Sequence, residues 1–228
     1  MTATFVLIPG AGGQAWYWHR LVPELERRGY AAVAVDLPAD DDTAGLAAYA
    51  DAVVTAIGAR RPVVLVAQSM GGLTAPLVCD RVPVELLVLV NAMVPRPGET
   101  GGEWWTVTGH AAAVAEHSAR HGLSGDAGDQ DEYFFHDVPA DVVAAAYAQP
   151  FGQSARPFED PWPLVAWPDV PTRVLCGRDD RFFPADFQRR LAAERLGCPV
   201  EEVPGGHLVA LSRPGELADR LSSHLTST

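Results

Sequence analysis

The chain has 228 residues, 48% of them hydrophobic, and a formal net charge of -12. That length suits one α/β domain with a sizeable core and an insertion. The acidic excess argues against nucleic acid and anionic membrane surfaces as partners.

Phe5-Val6-Leu7-Ile8 is a continuous apolar run stopped by Pro9-Gly10, the pattern of a strand buried on both faces. The glycine-rich stretch Pro9 to Gly13 follows, where backbone N–H groups can approach a ligand closely. Two readings compete for it. Gly10-Ala11-Gly12-Gly13-Gln14-Ala15 formally fits a dinucleotide fingerprint, with Asp36 closing the next strand as the ribose ligand. The alternative is an oxyanion loop. A helix is predicted to open at Trp16-Tyr17-Trp18-His19 and to end at Arg27-Arg28-Gly29, cations in the last turn and glycine at the stop. A strand over 31–36 and a polar loop come next. Thr43 is a candidate cap for a helix carrying Leu46, Tyr49, Ala50, Val53 and Ile57 at helical spacing.

Val63 to Gly72 is the stretch around which the chain is organised. A Val-rich run ends at Ala67-Gln68-Ser69-Met70-Gly71-Gly72, and a helical pattern begins at Leu73. Strand, tight turn with central serine, then helix is the layout of a nucleophile elbow. The residues two positions either side of the serine must be small, because strand and helix approach closely there; Ala67 and Gly71 satisfy this. The amino end of the following helix favours developing negative charge. Val84 to Val90 reads as another buried strand ending at Asn91.

The order so far is β-α-β-α-β-α-β, a doubly wound parallel sheet, whose ligands bind beyond the strands' carboxyl ends. From Pro95 to Trp167 regular apolar runs disappear. Only the stretches near His110–Arg120 and Asp141–Ala148 look helical, so residues 95–167 are expected to form an inserted helical cap on a core of 1–94 and 168–228. Its many aromatics should mostly pack onto the core, with a few lining an apolar pocket. Pro171 to Cys176 resumes the sheet. A loop containing Asp179 and Asp180 follows, then a helix, a short strand at Val200–Val203, the loop Pro204-Gly205-Gly206-His207, and a last helix from about Pro214.

Ser69, a loop aspartate and His207 occur in the order that the nucleophile elbow requires. Serine needs a base, which is His207, and a carboxylate must fix the imidazole. Asp179 and Asp180 are both available, and only one can point at His207. Substrate contacts are expected from Trp16, Trp105, Phe135, His136 and Phe183. His110, His117 and His121 read as a surface helix rather than a metal set. Cys79, Cys176 and Cys198 are odd in number and far apart, which predicts buried thiols and neither a disulfide framework nor a zinc site. No apolar stretch approaches a membrane span and the start carries no leader pattern, so a cytoplasmic protein without a membrane partner is expected.

These residues carry a resemblance. Phe5–Ala11 with Trp16 and Trp18, Asp36-Leu37-Pro38, the Ser69 elbow, Gly177-x-x-Asp180 with Pro184, and Gly206-His207 resemble the α/β-hydrolase-fold esterases, close to the small group of plant methylesterases and hydroxynitrile lyases. The resemblance implies a mainly parallel sheet of about six strands with an inserted helical cap. It selects Asp180 as the partner of His207. It implies an oxyanion hole built from the N–H groups of Ala11 and Met70, donors worth about 3–4 kcal/mol each at the transition state. Two departures stand out: Pro9 where the family often has histidine, and Ala67 where it has glycine. The implied activity is hydrolysis of a small to medium carboxylic ester with an apolar or aromatic part, through an acyl-enzyme, without cofactor or metal, by a monomer or homodimer. Thioester, lactone or carbon–carbon cleavage, a hydroxynitrile-lyase-like reaction, and a non-catalytic ligand-binding role remain alternatives. The lyase reaction wants a cationic pocket residue, and the chain contains no lysine. A dinucleotide-dependent oxidoreductase would leave Ser69, Asp180 and His207 unexplained.

Overall fold

The computed structural model describes residues 3–226. Met1, Thr2, Ser227 and Thr228, assigned from the sequence to the ends of the core, lie outside the described residues. Among those described, six strands form one sheet: β1 (Thr4–Ile8), β2 (Ala31–Ala34), β3 (Val63–Gln68), β4 (Leu86–Val90), β5 (Thr172–Gly177) and β6 (Val200–Val203). Their order is β2-β1-β3-β4-β5-β6, and every neighbouring pair is parallel.

The period-2 alternation of each strand divides the core into two layers. Val6, Ile8, Leu65, Ala67, Leu87 and Leu89 face the helices α2 (Leu46–Ile57), α3 (Gly71–Cys79) and α9 (Ala185–Leu196). Phe5, Leu7, Val64, Val66, Val88 and Val90 face α1 (Leu21–Arg27), α10 (Val209–Ser212) and α11 (Pro214–Thr226). β1, β3 and β4 are buried along their whole length, which is why they read as unbroken apolar runs. The chain winds from β1 outward to β2, then crosses back to β3 on the other side of β1. This reversal opens a crevice at the carboxyl ends of β1 and β3.

Two helix starts differ from expectation. The helix predicted from Trp16 divides into a 3-10 turn, Ala15–Trp18, and α1. Pro23 explains the break: a continuous helix would place it in the interior, whereas α1 holds it in the first turn, where its missing N–H is not needed. Thr43 does not cap α2. Its N–H and hydroxyl both donate to Asp41. The carboxylate of Asp160, 114 positions away, accepts the Leu46 N–H at 2.8 Å instead.

Between β4 and β5 lie α4 (Gly101–Val107), α5 (His110–His121), α6 (Gln130–Tyr133), α7 (Ala140–Tyr147) and α8 (Arg156–Glu159). The predicted helices are α5 and α7; the others are too short to show a period. One signal for α4 was nonetheless present. Thr100 and Glu103 form a reciprocal capping box. Indole N–H groups fasten this segment to the core and its two ends to each other. Trp104 donates to Val94 O, Trp162 to Leu73 O and Trp167 to Pro95 O, each at 3.1 Å. Trp104 and Trp162 are fully buried, contributing about 1.5–3 kcal/mol each on the scale for large apolar side chains.

Candidate active site

Ser69 follows β3 with a left-handed backbone, φ 52°, a conformation costing about 1–3 kcal/mol for a non-glycine residue. Its surroundings hold it there. The Ser69 N–H donates to Val90 O and Asn91 O, and Ser69 O accepts from Gly72 and Met93 N–H. The glycines around it have no room for a side chain. A Cβ on Gly10 would lie 2.5 Å from Gln68 Oε1 and 2.8 Å from Ser69 Cβ. On Gly71 it would meet Pro9 O at 2.8 Å, and on Gly72 it would meet Met93 O at 2.0 Å. Ala67 sits fully buried on the elbow strand, so its extra methyl is accommodated.

His207 Nε2 lies 3.1 Å from Ser69 Oγ, and its Nδ1 lies 2.9 Å from Asp180 Oδ2. An ionised carboxylate can only accept, so the ring proton belongs on Nδ1, leaving Nε2 to accept from the serine hydroxyl. Of the two candidate aspartates, Asp180 is the one that faces the imidazole. Asp179 is exposed, pairs with Arg178 at 3.5 Å and accepts the Gly205 N–H at 3.3 Å. Asp180 is fully buried. Its other oxygen accepts the N–H groups of Phe182 and Phe183 at 2.9 and 2.8 Å, and Gln188 Nε2 lies 3.4 Å from Oδ2.

Three rings stand edge-on to the imidazole: Phe134, Phe182 and Phe183, with centroids 5.0–5.2 Å away and planes at 80–88°. They fix the ring plane. Asn91 fixes the loop behind it. This fully buried side chain donates to Gly206 O and His207 O at 3.1 and 3.0 Å and accepts the Gly177 N–H at 2.7 Å. It too has a left-handed backbone, φ 46°, which asparagine tolerates better than most residues. From the sequence, Asn91 was legible only as a strand end. The parts played by Phe134 and Phe182 were not legible.

Ser69 and His207 open into a cavity of about 460 Å³, joined along Ala11, Gln68, Phe135 and Phe151 to a recess of about 140 Å³. Aromatic and small apolar residues dominate both, with Gln14, Gln68, Gln130 and Gln149 as the polar groups beside Tyr17, Tyr147, Ser69 and His207. No Asp, Glu or Arg lines either space among the described residues. Burial pushes the Tyr17 hydroxyl well above its ordinary range, keeping it a neutral group.

The five expected substrate contacts separate. Phe135 lines both spaces and Trp16 lines the recess. Trp105, His136 and Phe183 line neither. Trp105 stands edge-on to Trp104 and His110. Phe183 is fully buried beside His207. His136 has its Nε2 buried on the far side of the histidine loop, against Gly206. Burial, aided by the nearby Arg181, holds its pKa below the ordinary histidine value. Chain position brings these residues near the site but does not tell which side of the His207 loop they occupy.

Ala11 lines both spaces, at the second position of a turn closed by Gly13 N–H to Gly10 O at 3.1 Å. Met70 precedes the first residue of α3. The dinucleotide reading of this loop fails on Asp36. Its carboxylate accepts the Ala15 N–H at 2.7 Å, tying down the loop from within, and Gly12 is covered by Phe151 and bonded to Gln153. His110 is corrected as well. Far from forming a surface face, it is buried, and its Nε2 lies 2.7 Å from Phe182 O.

The chain matches the family model described as the alpha/beta hydrolase family over residues 5–220. It is similar to "Probable esterase PIR7A" of Oryza sativa subsp. indica, 34% identical over 110 residues, 43% of this chain and 42% of that protein. That match therefore spans less than half of the relative's length. A longer one joins it to "Esterase PIR7B" of Oryza sativa subsp. japonica, 27% identical over 95% of this chain and 93% of that protein. Among solved structures, a pyrethroid hydrolase from Sphingobium faniae JZ-2 superposes with a TM-score of 0.77 at 22% identity, covering 100% of this chain and 98% of that one. With the match running across nearly all of the sheet and its loops, the chain belongs to the alpha/beta hydrolase family and carries its fold.

Proposed function

We propose that the protein is a serine esterase acting on small to medium, uncharged carboxylic esters with an apolar or aromatic part. The observation that carries this reading is the hydrogen-bonded series Ser69–His207–Asp180, at 3.1 and 2.9 Å, opening into an apolar cavity. Ser69 Oγ attacks the ester carbonyl while His207 Nε2 takes its proton. The carbonyl oxygen becomes an oxyanion, received by the N–H groups of Ala11 and Met70 at the amino end of α3. The C–O bond then breaks, and the imidazolium returns the proton to the leaving alcohol. Water, deprotonated by the same nitrogen, attacks the acyl-enzyme, and the acid leaves with Ser69 restored. Asp180 keeps the imidazole oriented and stabilises its charged form.

The lining supports the substrate class. A substrate charge would enter a space walled by aromatic rings and amides with no counter-ion, at a desolvation cost. The same feature weighs against a hydroxynitrile-lyase-like use of the site, because no lysine exists in the chain and, among the described residues, no arginine lines the cavity. Thioesters, lactones and ketone-flanked carbon–carbon bonds fit the same chemistry and are compared as substrates. The test is turnover of a p-nitrophenyl ester series by the wild type, Ser69→Ala and His207→Ala. Each variant is expected to lose about 10³-fold or more in kcat, as removal of a member of such a series does. A wild type that neither turns over nor takes a fluorophosphonate label would put a ligand-binding protein in place of an enzyme.

A further inference from the structure

Asp137 lies between α6 and α7, outside the hydrogen-bonded series, yet it reaches the loop that carries His207. Its Oδ2 accepts the Gly206 N–H at 2.8 Å. Its Oδ1 is buried and without a hydrogen-bond partner among the described residues, as is the Nε2 of His136. Both atoms crowd Gly206: a Cβ there would lie 2.6 Å from His136 Nε2 and 2.9 Å from Asp137 Oδ1. The backbone of residues 206–207 is thus held from two sides. Asn91 holds its carbonyls from the core, and Asp137 holds its N–H from the inserted segment. Three residues upstream, Phe134 stands against the His207 ring, and Phe134 and Phe135 both form cavity wall. One four-residue stretch therefore shapes the cavity and grips the loop of the base.

From this geometry we infer that Asp137 is a positioning residue for His207. It acts through the Gly206 N–H and fixes where Nε2 points relative to Ser69. Burying a carboxylate that has one oxygen unpaired is costly, and the bond to Gly206 is the contact that offsets it. Removing the acceptor leaves the 205–206 peptide held through its carbonyl, which accepts the Asp179 N–H at 3.0 Å, so the peptide tilts about that bond and shifts Nε2 away from Ser69. It leaves the aromatic walls in place, so the loss belongs in kcat rather than in KM.

The inference rests on the esterase reading for its kinetic arm, so the experiment pairs kinetics with a measurement that needs no turnover. Asp137→Ala is expected to lower kcat and the rate of fluorophosphonate labelling about 10–100-fold, the scale of an ångström-sized misplacement, with KM within about threefold. Hydrogen–deuterium exchange over residues 203–208 is expected to rise in the same variant. Asp137→Asn keeps an oxygen acceptor at the same reach and is expected to restore kcat and exchange to near wild type. An Asp137→Ala with kcat within twofold of wild type, or with unchanged exchange at 203–208, overturns the inference. So does an Asp137→Asn as slow as Asp137→Ala, because charge and not the bond would then be at work. Should Asp137→Ala fail to fold, Asp137→Asn and Asp137→Glu decide. Asn near wild type with Glu slowed supports the bond, and equal behaviour of the two overturns it.

Discussion

At the scale of single residues, the elbow is a problem of clearance. The sequence pattern points to Ala67 and Gly71 as the small neighbours of Ser69, yet the tightest position is Gly72, where an added methyl would meet Met93 O at 2.0 Å. The obstacle is backbone, and Met93 N–H is itself bonded to Ser69 O. Relief must therefore come from moving the serine turn or the strand end beside it. Gly72→Ala is expected to destabilise the fold by about 1–3 kcal/mol or more, the usual cost of overpacking, and to slow ester turnover as well. Urea denaturation with parallel kinetics reads both. A variant as stable and active as wild type would show that the turn yields freely. Of the three thiols expected to be buried, Cys176 is, while Cys79 and Cys198 are half-buried; their surroundings raise Cys79 and Cys176 to about 12, so both stay protonated and inert as packing groups.

At the scale of elements, the inserted helices are joined to the site by a few polar contacts on an aromatic base. His110 opens α5 and reaches the carbonyl of Phe182, two residues after Asp180. Burial lowers its pKa below the ordinary 6.5, outweighing the raising effects of the Phe182 carbonyl and of Asp180. The sign follows. Well above pH 6.5 the imidazole is neutral in both the folded and unfolded chain and contributes no pH dependence. Between its folded value and 6.5 the unfolded chain binds more proton, so stability falls as pH falls. The melting temperature of the wild type is expected to drop from pH 7 towards pH 5.5. In His110→Gln, whose amide can donate to the same carbonyl, that drop is expected to be shallower. Identical slopes would assign the effect elsewhere, to His117, His136 or His224, which burial also lowers.

At the scale of the whole molecule, a net charge of -12 surrounds a cavity lined, among the described residues, by no carboxylate or guanidinium. The outer field repels anionic substrates, and the inner wall offers them no counter-ion. For two esters matched in size, one bearing a carboxylate distant from the scissile bond, kcat/KM is expected to favour the neutral one by about tenfold or more, the ratio for 1.4 kcal/mol. The field's share of that preference should shrink as salt is raised, because screening acts on the exposed charges and not on the cavity wall. Equal kcat/KM for the pair would contradict the reading of the lining.

What the amino-acid sequence determined by itself is whatever rests on local steric and periodic rules. Unbroken Val and Leu runs mark strands buried on both faces. A small–Gln–Ser–Met–Gly–Gly turn between strand and helix marks the elbow. Loops after β5 and β6 bring an aspartate and a histidine to the same edge of the sheet as Ser69. Tertiary structure alone decided what depends on contacts across long separations. Asp160 caps α2 in place of Thr43, and Asp180 faces His207 while Asp179 turns to solvent. Asn91 from the end of β4, and Phe134 with Asp137 from the inserted segment, converge on one imidazole loop. Those outcomes are fixed by which side of a loop a group can reach in the packed interior. No periodicity records that, because it is a property of the packed interior and not of neighbouring residues.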